Sequence, residues 1–306
     1  NVVKAAPVLW DKNIVDTKET AQAVVVNSGI ANACTGKQGM DICKKEEECA
    51  GRLLGIPADA VLVASTGVIG MQIPEDRICA GIEKLAAAKT DTLKAGNDAA
   101  RAIMTTDTVF KEVAVEIELS GKKVTLGGMC KGSGMIHPNM CTMLGFVTTD
   151  AAISKELLVK AVKKDVIDSF NMISVDGDTS TNDTLLVLAN GMAKNPVITE
   201  ENEDYKVFCE ALHAVTTTLA KKMAGDGEGA TALFETKVIH ADTKQNARIL
   251  AKSVICSSLT KAAIFGHDAN WGRILCALGY SGVNFDPENV DLYFEAEGKK
   301  MAIFSK

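Results

Sequence analysis

The chain has 306 residues, 47% of them hydrophobic and 24% charged, with a formal net charge of −6. That composition can bury a large core in one large or two medium domains. Lysines and arginines alternate with acids rather than clustering, which argues against a nucleic-acid partner. No apolar run approaches the roughly 18 residues needed to span a bilayer, and residues 1–10 lack the charged, apolar and small-residue order of a signal peptide. A cytoplasmic protein is expected. Its nine cysteines are an odd number with no C-x-x-C pair, so free thiols are expected, with neither disulfides nor structural zinc.

In chain order, apolar runs alternate with helical patterns, which predicts a mixed α/β or α+β architecture. Residues 23–26 read as a buried strand ending at Asn27-Ser28-Gly29, and residues 41–54 as a helix. A short strand over 61–64 runs into a Ser65-Thr66-Gly67 loop, followed by a helix over 74–88 with proline in its first turn. Residues 111–119 and 122–129 form a hairpin over Ser120-Gly121. A glycine-rich segment, 127–134, leads to the apolar run 142–147. Residues 154–170 carry an apolar stripe opposite lysines. A strand over 185–189, a helix over 201–224, a strand over 231–240 and helices over 243–257 and 270–279 complete the outline.

The segment Lys131-Gly132-Ser133-Gly134-Met135-Ile136-His137-Pro138-Asn139-Met140-Cys141-Thr142 resembles the self-processing and active-site motif of the ornithine acetyltransferases. The resemblance implies cleavage between Cys141 and Thr142, leaving Thr142 as an N-terminal nucleophile. Physical chemistry agrees, because a threonine hydroxyl needs a base, and an α-amino group with a pKa of about 7.7 to 8.0 can serve. Cutting the chain creates that base. Without the longer match, the segment would read as a glycine-rich loop feeding a core strand.

Other motifs extend the resemblance. Ser65-Thr66-Gly67-Val68-Ile69-Gly70 is otherwise a common strand-end turn; by resemblance the Thr66 hydroxyl and Gly67 N–H stabilise the oxyanion. In Met104-Thr105-Thr106-Asp107-Thr108, Thr105 is the expected substrate contact, with Thr106 or Thr108 as the alternative register. Lys131 would bind the substrate α-carboxylate. In Gly225-Asp226-Gly227-Glu228-Gly229-Ala230-Thr231, Glu228 would pair with substrate amino groups; the segment is acidic and lacks the Gly-Lys-Ser/Thr ending of a phosphate loop. Asp176, Asp178 and Asp183 of Asp176-Gly177-Asp178-Thr179-Ser180-Thr181-Asn182-Asp183 could suggest a cation site, but turn and capping duty is the stronger reading. The segment 266–273, Gly-His-Asp-Ala-Asn-Trp-Gly-Arg, also matches and opens a helix at Asn270, with no catalytic role assigned. Two positions depart from the family pattern: Cys141 replaces the usual alanine and Ile30 the usual asparagine.

The resemblance implies a four-layer αββα sandwich of the DmpA/ornithine acetyltransferase type, similar to the N-terminal-nucleophile hydrolases. It divides the chain into fragments 1–141 and 142–306, interlocked and assembled as an (αβ)₂ heterotetramer. The implied activity is glutamate N-acetyltransfer in arginine biosynthesis: acetyl passes from N2-acetylornithine to Thr142 and then to glutamate, with no metal or organic cofactor. Acetyl-CoA is a conceivable co-substrate. Family members begin upstream of Asn1 and continue beyond Lys306 into a tail that contributes an asparagine and a threonine to the pocket. Two rival readings are a self-processing aminopeptidase or amidase of the same fold, and a truncated binding protein without activity.

Overall fold

The computed structural model describes residues 2–137 and 143–305. The elements follow in chain order as α1 (Ala6–Thr17), β1 (Ala23–Ile30), α2 (Gly36–Leu54), β2 (Val61–Val68), α3 (Glu75–Ala88), α4 (Leu93–Ala102), β3 (Lys111–Leu119) and β4 (Lys122–Lys131). After them come β5 (Leu144–Thr149), α5 (Lys155–Asp165), β6 (Thr184–Ala189), α6 (Glu203–Gly225), α7 (Lys244–Cys256), α8 (Ser258–Phe265), α9 (Trp271–Gly279), β7 (Leu292–Ala296) and β8 (Lys299–Phe304).

Strand period explains the layers. β1 and β2 pair in parallel, Ala23 beside Val61 and Val26 beside Ala64. Alternate side chains then point to opposite faces. On one face Val24, Val26 and Ala64 meet Leu144, Phe146, Met129 and Leu186 of the second sheet. On the other, Val25, Val61 and Val63 pack against Cys43, Cys49, Ala50 and Ile82 of α2 and α3, with Trp10 and Ala6 of α1 joining them. The second sheet has the order β3-β4-β5-β6. Its far face supplies Leu126, Cys130 and Val147 to the largest core cluster, beneath Phe208, Leu212, Val215 and Leu219 of α6 and Leu157 and Ala161 of α5. The layers therefore run helix, sheet, sheet, helix: the αββα sandwich.

Helix ends are set by local chemistry. Ser154 caps α5 by accepting the N–H of Leu157, and Asn202 caps α6 by accepting that of Tyr205, each satisfying a donor that the helix itself cannot. Asp11 on α1 accepts the N–H of Val63 at 2.8 Å, which locks that helix to β2.

Several expectations are corrected. Residues 65–67 belong to strand β2 rather than to a loop, and the helix expected over 154–170 ends at Asp165, followed by a short 3-10 turn at Phe170–Met172. Residues 231–240 form no strand. A strand exists only beside a partner that takes its N–H and C=O groups; the apolar residues here are accommodated instead by Phe234 and Val238 packing into the cluster built by Leu250, Val254, Ala277 and Leu278 of α7 and α9. Helices α1, α4 and α8 and the hairpin β7-β8 were not anticipated. The eight described cysteines are free thiols. Among the described residues no helix is long and apolar enough to cross a membrane.

Candidate active site

Strand ends place the expected site residues. Thr66 and Gly67 lie at the C-terminal end of β2, and Lys131 is the last residue of β4. Thr105 follows α4, and Glu228 follows α6. Cys141 and Thr142 lie outside the described residues; β5 begins two residues beyond Thr142, with Leu144 paired to Lys131.

These side chains converge. Lys131 is 3% exposed, and its Nζ donates to Thr105 Oγ1 at 2.7 Å and Thr66 Oγ1 at 3.4 Å. Burial pushes its pKa down, with the Asp107 carboxylate and Glu228 opposing that shift. Asp107 Oδ2 stands 3.8 Å from the ammonium. Thr105 is therefore the threonine facing Lys131, whereas the alternative Thr108 is taken up by Asp226, which accepts both its N–H and its hydroxyl.

Glu228 sits against the same loop. Its N–H donates to Ser133 O at 3.1 Å. A Cβ on Gly134 would stand 2.5 Å from Glu228 Oε1, so the carboxylate lies directly against the backbone of the 131–134 loop. Gly67 is constrained still more: its φ is +131°, and an added Cβ would come within 2.2 Å of the Gly29 carbonyl carbon. An exposed carboxylate and a buried ammonium beside two hydroxyls suit a ligand that carries both an amine and a carboxylate.

Below this layer lies a charge network that sequence reasoning missed. Lys111 is fully buried, and its Nζ donates to Asp107 Oδ1 at 2.7 Å and Asp226 Oδ2 at 2.5 Å. Asp107 also accepts the N–H of Gly132 at 2.6 Å and of Thr105 at 3.1 Å. Burial alone would raise the Asp107 pKa, but Lys111, these two N–H groups and Lys131 hold it below the usual carboxylate range. At Asp226 the same contest, decided by Lys111 and Thr108, also leaves the carboxyl low. Ser133 Oγ donates to Asp226 O at 2.7 Å. The network thus fastens the segments bearing Thr105, Lys131 and Glu228 to one another. Asp107 and Asp226 were visible inside recognised motifs; nothing in their spacing pointed to Lys111 as their common partner.

Asp176 and Asp183 do more than cap turns: their carboxylates accept N–H groups some 40 positions away, Met135 and Ile136 for Asp176 and Met143 for Asp183. Among the described residues no group of three or more His, Cys, Asp or Glu could hold a metal ion. Asn270 opens α9 as expected, its side chain accepting the N–H of Arg273.

The αββα layering defines a four-layer sandwich with the fold of the N-terminal-nucleophile hydrolases, and the convergence lies at its adjoining strand ends. A model of the ArgJ family matches residues 1–305. Arginine biosynthesis bifunctional protein ArgJ 1 of Clostridium acetobutylicum is 54% identical over 303 residues, which is 98% of this chain and 73% of that protein. The arginine biosynthesis bifunctional protein ArgJ of Symbiobacterium thermophilum is 56% identical over 293 residues, 96% of this chain and 72% of that one. Among solved structures, ArgJ of Bacillus halodurans is 42% identical with a TM-score of 0.43, covering 47% of this chain and 73% of that chain. The ornithine acetyltransferase of Mycobacterium tuberculosis, solved with ornithine, is 36% identical with a TM-score of 0.39, covering 45% and 72%. The chain belongs to the ArgJ family.

Proposed function

We propose that this chain is the acyl-transfer core of a glutamate N-acetyltransferase that cuts itself between Cys141 and Thr142 and then uses Thr142 as its nucleophile. The observation that carries the reading is the buried Lys131 ammonium bonded to Thr105 beside Thr66, with Glu228 on the adjoining loop. Lys131 takes the α-carboxylate of the amino-acid substrate. Glu228 takes its amino group.

In the first half-reaction the Thr142 hydroxyl oxygen attacks the acetyl carbon of N2-acetylornithine and gives its proton to the new α-amino group. Thr66 and Gly67 donate hydrogen bonds to the tetrahedral oxyanion. The amide C–N bond breaks, the leaving amine takes the proton, and the acetyl group stays on Thr142 as an ester. In the second half-reaction the amine of glutamate attacks that ester, the C–O bond breaks, and the hydroxyl is restored. Positioning and oxyanion stabilisation supply the barrier lowering, so neither metal nor organic cofactor takes part; acetyl-CoA is an alternative acetyl donor to the same hydroxyl. Fragments 1–141 and 142–306 stay interlocked, because β4 and β5 pair across the cut, and two such pairs form an (αβ)₂ assembly in the cytoplasm.

The test uses N2-acetylornithine labelled in the acetyl group. Label appearing in N-acetylglutamate, and absent with Thr142→Ala, is the expected result. Label released only as acetate would assign the fold to an amidase, and no turnover at all would remove the assignment.

A further inference from the structure

The loop 175–184 reaches both flanks of the proposed cleavage site. On the upstream flank, Asp176 accepts the N–H of Met135 at 2.5 Å and of Ile136 at 3.0 Å. Val175 N–H donates to Ile136 O at 2.6 Å, and Thr179 Oγ1 donates to His137 O at 3.2 Å. Met135 is held at φ 57°, a left-handed conformation that a long side chain adopts only when its surroundings enforce it. On the downstream flank, Asp183 Oδ1 accepts the N–H of Met143 at 2.6 Å, and Thr184 N–H donates to Met143 O at 2.9 Å. A third anchor ties the loop to the oxyanion strand: Asn182 Nδ2 donates to Ser65 O at 2.7 Å and Ala31 O at 2.5 Å.

We propose that this loop is a clamp that fixes the two flanks of the scissile bond, residues 135–137 and Met143, for self-cleavage, with Asp176 and Asp183 as positioning residues on those flanks and Asn182 setting their register against Thr66. The proposal rests on the self-cleavage reading above. In that step the Thr142 hydroxyl oxygen attacks the Cys141 carbonyl carbon, the peptide C–N bond breaks, and the hydroxyl proton ends on the departing amine. Water then opens the ester, leaving a carboxylate on Cys141 and a free amine on Thr142. An intramolecular attack of this kind depends steeply on geometry: displacement by about 1 Å can cost on the order of 100-fold in rate.

The two aspartates differ in a way that a test can use. Burial pushes the Asp183 carboxyl up to about 8 against the pull of the Met143 N–H, which favours the protonated form, and its Oδ2 has no partner among the described residues. An asparagine oxygen can replace it on Met143. Asp176 instead uses both oxygens as acceptors, taking a further N–H from Asp178 at 3.0 Å. An asparagine there would turn an NH₂ group against N–H donors.

Self-cleavage of freshly purified full chain is followed by intact mass at pH 7, with thermal unfolding measured in parallel and Thr142→Ala as the uncut control. Asp183→Ala and Asp176→Asn are expected to slow cleavage about 100-fold, whereas Asp183→Asn cuts near the wild-type rate. Hydroxylamine, which opens esters, should release no fragments from the slowed variants, because the block precedes the acyl shift. Cleavage of Asp183→Ala and Asp176→Asn at the wild-type rate, with Thr142→Ala uncut, would overturn the clamp while leaving self-cleavage standing. An uncut wild-type chain would overturn self-cleavage and the clamp with it. Should an aspartate variant fail to fold, Thr179→Val removes the hydroxyl that donates to His137 O: a several-fold slowing supports the clamp, and an unchanged rate contradicts it.

Discussion

Lys111→Met is expected to destabilise the protein by about 3–5 kcal/mol, the range typical of a buried ion network that loses one partner. The side chain is fully buried between Asp107 and Asp226. Methionine fills the volume but leaves two carboxylates with no cation between them. Thermal unfolding at pH 8 should show a loss of roughly 10 °C. The sign with pH follows from the low carboxyl pKa values: in the wild type they contribute stability above the unfolded value of 3.8, and that stability is lost as pH falls through the folded value. In the variant the uncompensated carboxyls take up protons more readily, so the gap between the two proteins should narrow toward pH 4. Acetyl transfer should fall as well, because Asp107 also holds Gly132 and Thr105. Equal melting temperatures across this range would show that the network carries no stability.

Gly67→Ala should cost at least 100- to 1000-fold in acetyl transfer, the usual magnitude for losing an oxyanion donor. The added methyl would stand 2.4 Å from Gly29 O and 2.6 Å from Ile30 N. Both are backbone atoms, and they cannot swing aside as a side-chain tip can. Relief requires β1 and β2 to part at their Gly29–Gly67 pairing, which moves Thr66 and the residue 67 N–H together. The φ of +131° adds strain for any residue with a Cβ. A variant retaining the wild-type transfer rate would exclude this N–H from the reaction.

Much of the candidate site was legible in the sequence through family motifs rather than residue by residue. Thr66, Gly67, Lys131 and Glu228 sit in short glycine-bearing motifs at strand or helix ends, and Ser65-Thr66-Gly67 or a lone lysine taken by itself reads as a turn or a solvated charge. Thr105 could be singled out but not fixed in register, because adjacent threonines are interchangeable until Asp226 claims Thr108. Lys111 was not legible, since an ammonium at the start of an amphipathic hairpin looks solvated until the fold brings Asp226 to it from 115 positions away. Likewise Asp176 and Asp183 looked like turn residues, because their partners lie about 40 positions upstream. In the fold, a β-branched run marked β1 and an apolar stripe opposite lysines marked α5. The apolar residues of 231–240 misled: short apolar runs alone cannot distinguish a laddered strand from a segment packed against helices.

Intact mass and N-terminal sequencing of the purified chain beside Thr142→Ala test the central claim most directly. The account predicts two chains for the wild type, one ending at Cys141 and one beginning at Thr142, with only the second gaining an acetyl group on exposure to N2-acetylornithine; Thr142→Ala should stay whole and unacetylated. A wild-type chain that remains intact and takes up no acetyl group would contradict it.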